Sequence, residues 1–140
     1  MLDVMIIGAG PAGLSAAEAA ADEGLNYLVI EKGTIANTIR QYPIGRTMFS
    51  TPNEVEMHEG TLQPIREKPT REELLSHYVH FVLDRDLRIN TDERVVDVSG
   101  DIDHGFSVVT TRGKYQTARI LFAIGAMELS LIHISEPTRP

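Results

Sequence analysis

The sequence predicts an α/β fold built on a parallel sheet, and three observations predict it. Residues 3–8, Asp-Val-Met-Ile-Ile-Gly, form a short continuous apolar run, as strands buried on both faces do. An Ala-rich stretch of strong helix formers follows at 12–23, and a second apolar run, Leu25–Ile30, comes after it. Strand, glycine-rich turn, helix and strand therefore fit into about thirty residues, the size of a βαβ unit.

The remaining elements follow in order. Gly8-Ala9-Gly10-Pro11-Ala12-Gly13 turns the chain from the first strand into the helix, and Gly24 stands where a helix stop belongs. Residues 32–69 are irregular, with prolines at 43, 52, 64 and 69, and read as a functional loop with one short helix near Ile35–Arg40. Thr70-Arg71-Glu72-Glu73 is a capping box. Beyond it Leu74, Leu75, Tyr78, Phe81 and Val82 share one helical face, which predicts a helix to about Arg85. Leu87–Asn90 is expected as a third parallel strand. From Glu93 the period becomes strand-like, with runs at Arg94–Ser99, Phe106–Thr111 and Lys114–Gln116 and a two-residue turn at Arg112-Gly113. Ala118–Ile124 is a further continuous apolar strand, closing at Gly125.

Composition narrows the function. The 140 residues, 42% hydrophobic and 24% charged, suffice for one domain with a real core. With no cysteine, these residues carry no disulfide framework, thiolate metal site or cysteine redox centre. A formal charge of −7 argues against nucleic acid or an anionic membrane surface as partner. No apolar run approaches the roughly 18–20 residues of a membrane span. The N-terminus carries Asp3 and no basic leader, so a cytoplasmic location is expected.

The glycine spacing carries the chemistry. Gly8 allows a sharp exit from the strand, Gly10 lets the backbone approach a pyrophosphate, and Gly13 lets the helix pack closely on the strands. The helix N-terminus offers unpaired N–H groups and partial positive charge, so an acidic chain can still hold a dianion. Glu31, eighteen positions after Gly13 at the tip of the second strand, is placed to accept both ribose hydroxyls. It would repel a 2′-phosphate, which leaves FAD or NAD, and not NADP, as the dinucleotide.

Three stretches carry a wider likeness: Gly8–Gly13 with Glu31-Lys32, the loop Gln41-Tyr42-Pro43 to Thr47-Met48-Phe49-Ser50, and Ala118–Gly125. On these the chain resembles flavoproteins of the thioredoxin-reductase-like class with two dinucleotide-binding domains. Within that class it is most similar to the bacillithiol-disulfide-reductase-like branch, with the ferredoxin/flavodoxin–NADP reductases next. The resemblance implies an incomplete Rossmann-like FAD-binding domain of parallel sheet, helices and β-meander, residues 1–128 being its N-terminal part. It implies that the intact enzyme passes electrons from NADPH, held by a second domain not reached here, through FAD to a disulfide or another acceptor. Ferredoxin or flavodoxin is the alternative acceptor, and a non-catalytic dinucleotide-binding fragment is the reading from another class. A small-molecule dinucleotide is the expected partner, a homodimer the expected assembly, and the 140-residue chain alone is expected to be inactive as a reductase.

Residue by residue, the resemblance sets Gly8, Gly10, Pro11, Ala12 and Gly13 against the pyrophosphate and Glu31 with Lys32 against the adenosine ribose. It sets Asn37 and Tyr42 near the flavin, a backbone group of Val95 at adenine, and Gly125 to Met127 at the crossover to the second domain. Read without it, Tyr42 is a packed loop aromatic, Asn37 a turn or cap residue, and Val95 core. Two positions depart from the pattern. Ile124 replaces a usual threonine, and Ala12 stands where bacillithiol-type enzymes often carry a cysteine, so thiol chemistry is impossible there.

The rest of the chain reads plainly. His77 and His80 lie three apart on the predicted helix without a third ligand, and His58 and His104 fall in loops. Glu54, Glu56 and Glu59 read as a solvated face. No nucleophilic triad or carboxylate pair stands out, so no catalytic residue and no metal ligand is assigned. Residues 129–140, Leu-Ser-Leu-Ile-His-Ile-Ser-Glu-Pro-Thr-Arg-Pro, alternate like an edge strand from Leu129 to Ile134. They also resemble a conceptual translation of a transposase adapter from sequencing libraries. They are therefore set apart as an artefactual tail on a truncated reading frame.

Overall fold

The structure, a computed structural model, describes residues 1–124 and 132–135. β1 (Leu2–Ile7) runs into α1 (Pro11–Asp22) and then β2 (Tyr27–Ile30), so the βαβ start is as the sequence predicts. β2 begins at Tyr27 and not at Leu25, because Leu25 belongs to the helix end. Its N–H donates to Ala20 O and that of Gly24 to Ala21 O, a Schellman closure with Gly24 at φ +70°. The Asn26 N–H then donates to the Asp3 side chain.

The long loop holds two single-turn helices, α2 (Asn37–Arg40) and α3 (Pro52–Val55), the second unforeseen. α3 has its own capping box, with the Glu54 carboxylate back on Thr51. The Glu56 carboxylate accepts from the N–H groups of Gly60 and Leu62. Two of the three acids read as a solvated face are thus loop organisers. α4 (Arg71–Arg85) starts at the predicted box, with Thr70 and Glu73 bonded to each other's backbone, and buries Leu74, Tyr78, Phe81 and Val82. Leu75 packs at the margin of that cluster.

With β3 (Ile89–Asn90), β4 (Val95–Asp101), β5 (Gly105–Thr110), β6 (Lys114–Phe122) and β7 (His133–Ser135), one sheet runs in the order β3-β2-β1-β6-β5-β4-β7. β3, β2, β1 and β6 are parallel neighbours, while β4, β5 and β6 form an antiparallel meander. The two sequence runs on either side of Thr117 are one strand. Thr117 is fully buried without breaking it, because its hydroxyl donates to Arg119 O at 2.8 Å. The hairpin turn lies one residue earlier than predicted. The register Val109↔Lys114 and the bond from Thr110 N–H to Gly113 O leave Thr111-Arg112 at its tip. The Thr110 hydroxyl accepts from the N–H groups of Arg112 and Gly113 there.

Two cores flank the parallel strands. Ile6, Tyr27 and Val29 face α1 and α4, with Leu14, Ala17, Leu74, Tyr78 and Phe81. Met5, Ile7 and Ile30 face the other way, onto Val95, Val98 and Val108 of the meander. Helices, parallel strands and curled meander make the three layers. Within the segment set apart in the sequence, His133–Ser135 forms β7, a parallel edge strand beside β4 with the His133 imidazole on the Asp97 carboxylate.

Candidate functional site

A groove opens at the carboxyl ends of β1 and β2, beside the end of β6. β1 is the point at which connections diverge to either side, where open α/β sheets place their ligands. It has two lobes sharing Gly8, Glu31, Lys32 and Ile124. The larger, about 330 Å³, adds Gly10, Pro11, Ala36, Asn37, Thr38, Ile39 and Ala123. The smaller, about 80 Å³, adds Ile7, Ile30, Glu93, Arg94, Val95 and Ile132.

The three glycines of the turn answer to different demands. Gly8 has φ +113°, and a Cβ there would meet Ala123 O at 2.4 Å. A Cβ on Gly13 would meet Gly8 O at 1.9 Å, so helix and turn pack closer than any side chain allows. Gly10, the N-cap of α1, is different: a Cβ there would meet nothing within 4 Å. The fold itself does not require that glycine. Nor does any side chain cap the helix, whose start at Gly10 and Pro11 lines the larger lobe.

Glu31 is only 8% exposed. Its carboxylate accepts from Ala9 N–H at 3.0 Å and from Gly33 N–H at 2.7 Å, fastening the glycine turn to the end of β2. Asn37 lines the larger lobe, and its Oδ1 accepts from the Thr34 N–H and hydroxyl, as a turn residue would. Lys32 lines both lobes.

The structure gathers most of the expected residues and separates others. Gly8, Gly10, Pro11, Glu31, Lys32, Asn37 and Val95 line the groove, while Gly13 supports it from beneath. Ala12 is exposed in the first turn of α1, outside the residues lining either lobe. Tyr42 also lies outside them: the Arg46 guanidinium stacks 5.2 Å from its ring centroid on the outer surface of the loop. Gly125 and Met127 lie outside the described residues.

Sequence reasoning missed Glu93 and Arg94. Glu93 is 2% exposed and accepts from the Thr110 hydroxyl at 2.6 Å, the Tyr115 hydroxyl at 2.7 Å and the Asn90 amide at 3.2 Å. Burial pushes its carboxyl up, but these bonds and the Arg112 charge hold it below the ordinary range. A lone acid before a strand carries no local signal for this, since its partners arrive from residues up to 22 positions away.

The histidines are structural. His77 Nε2 accepts from Met57 N–H, and burial lowers its pKa. His58 and Arg85 converge on the Glu18 carboxylate. Among the described residues no group of three or more histidines and acids could hold a metal ion, and no helix is long and apolar enough to cross a membrane.

The sequence profile of the pyridine nucleotide-disulphide oxidoreductases matches residues 5–133. The chain belongs to that family. Among oxidoreductases of this family, bacilliredoxin reductase Bdr of Bacillus subtilis (strain 168) is 36% identical over 121 residues, 86% of this chain and 37% of its own. Bacillithiol disulfide reductase Bdr from Staphylococcus aureus superposes with a TM-score of 0.83 at 31% identity, covering 89% of this chain and 38% of that one. The Bacillus cereus Bdr gives 0.81 at 38%, covering 89% and 40%. The chain thus spans about two fifths of the length of these relatives. The α/β fold with parallel sheet and meander is the one they share over that stretch.

Proposed function

We propose that the groove binds the adenosine diphosphate end of FAD, and that the chain is the FAD-binding portion of an NAD(P)H-dependent flavin oxidoreductase. The observation that carries this is the open space at Gly10, a position where the fold would admit a side chain, beside an uncapped helix N-terminus and the Glu31 carboxylate. Gly10, Pro11 and the first N–H groups of α1 would hold the pyrophosphate, and Glu31 with Lys32 the ribose. Ala12, at the mouth of the same turn, keeps contact there to the backbone. Val95 would meet adenine, and Asn37, which lines the larger lobe, would approach the flavin. Tyr42 is proposed to approach the flavin, and Gly125 with Met127 to line the crossover to the second domain.

A bound flavin supplies the two-electron chemistry in this class; these residues bind it and exclude water from its adenosine end. A disulfide acceptor is proposed from the bacillithiol disulfide reductases; NADPH, a homodimer and a cytoplasmic location of the intact protein are proposed from the family resemblance alone. Residues 1–128 are taken as the N-terminal part of the split FAD-binding domain and 129–140 as an artefactual tail. The test is titration of the 140-residue chain with FAD, followed by absorption and calorimetry. Saturable binding, competed by ADP, is expected; no binding of either overturns the reading. Reamplification of the locus tests the tail, and finding the same codons in source DNA overturns that part alone.

A further inference from the structure

We propose that Glu93 is a positioning residue for the adenine end of the groove, a role that rests on the dinucleotide reading above. Glu31 and Glu93 are the two buried acids among the described residues, and both line the smaller lobe. A buried carboxylate is costly unless it is hydrogen-bonded, and an apolar side chain would fill the same space without that cost. Glu93 is held by uncharged donors from three strands: Asn90 at the end of β3, Thr110 at the end of β5 and Tyr115 in β6. Apolar contact resists separation but is non-directional, whereas three hydrogen bonds of different direction fix one placement.

What this placement fixes is the wall of the groove. The Glu93 N–H donates to Glu31 O at 3.0 Å, the Asp92 N–H to Gly33 O at 3.0 Å, and the Glu31 N–H to Asn90 O at 2.9 Å. The turn carrying Glu31 is therefore laced to the turn carrying Glu93. Arg94 and Val95, the next two residues, line the same lobe. Moving Glu93 changes the distance between the Glu31 side and the Val95 side, which is the width available to a purine.

The experiment compares ADP with UDP, which share a ribose diphosphate and differ in the base, by calorimetric titration of the 140-residue chain and its variants. The original chain is expected to prefer ADP. In Glu93→Leu the affinity for ADP is expected to fall about tenfold or more while that for UDP changes less than about threefold. Glu93→Gln is expected to keep the preference, because its amide oxygen retains Thr110 and Tyr115 and the Asn90 amide can turn to accept. Equal losses for ADP and UDP in Glu93→Leu would mean a structural role only and overturn the proposal. Should that variant not fold, Tyr115→Phe, which leaves Thr110 and Asn90 on the carboxylate, decides in the same way. A fall in the ADP-to-UDP ratio supports positioning and an unchanged ratio overturns it. If the original chain binds neither nucleotide, the dinucleotide reading fails and this inference fails with it.

Discussion

The Glu31 carboxylate and the Ala9 N–H are joined by a 3.0 Å hydrogen bond that spans 22 positions of sequence. With the second bond to Gly33 N–H, one side chain sets the glycine turn, the end of β2 and the following turn in a single frame. Glu31→Ala is expected to lose stability by about 1.5–3 kcal/mol, the size of bonds to a charged acceptor. Binding of ADP or FAD should weaken roughly ten- to a hundredfold. Urea denaturation and titration measure the two effects separately, and an unchanged affinity would contradict the ribose assignment.

Gly10 and Gly13 separate binding from folding. Gly13→Ala places a Cβ against Gly8 O and is expected to cost about 3 kcal/mol or more in chemical denaturation. Gly10→Ala meets nothing in the protein and should cost less than about 1 kcal/mol, the scale of an N-cap exchange. The same Gly10→Ala change should weaken ADP binding by at least about tenfold, since the added methyl would stand where the proposed site takes the pyrophosphate.

Tyr78 gives the fold a signature at high pH. Its hydroxyl donates to Val55 O at 2.7 Å, and burial pushes its pKa up to about 12. Below pH 10, the ordinary tyrosine range of about 10, folded and unfolded chains both keep the proton and stability is intact. Between pH 10 and 12 the unfolded chain ionises first, so stability falls as pH rises. Tyr78→Phe should cost about 1 kcal/mol at neutral pH and show a smaller alkaline loss. Unfolding curves of the two proteins from pH 8 to 12 measure the difference.

Arg71 fastens the loop beside the groove. Its guanidinium donates twice to Arg40 O at the end of α2, while the neighbouring Glu72 accepts from Gly45 N–H. Arg71→Met is expected to speed proteolytic cleavage within residues 41–46 by roughly tenfold, through local opening, with little change in global stability. Cleavage at the original rate would show that the backbone bonds of the Thr47–Thr70 bridge and the Glu72 bond to Gly45 hold the loop without the guanidinium.

The parts of the site that were legible in the sequence are those made by neighbours along the chain. Gly8 to Gly13, the start of α1 and the tip of β2 lie within one βαβ unit, so spacing alone places them. The α4 capping box was equally local. Val95 was reachable only through the family resemblance, and Glu93 and Arg94 not at all, because the partners that fix Glu93, Thr110 and Tyr115, come from the later strands of the meander. Thr117 hid the continuity of β6, since a polar residue inside an apolar run reads as a break unless its internal bond to Arg119 O is known. The resemblance sets Tyr42 near the flavin, and the contact of the Arg46 guanidinium with its ring is a pairing that no spacing rule encodes.

The pairing of β1 with β6 joins Val4 to Arg119, the two ends of the described parallel sheet in sequence. A ribosome adding about 5–20 residues per second therefore needs roughly ten seconds after making β1 before it makes the strand that closes it. During that interval the nascent chain carries an apolar strand, Val4 to Ile7, with one edge unpaired. Pairing of that edge must wait for β6, so the order of synthesis holds back the closing of this part of the sheet.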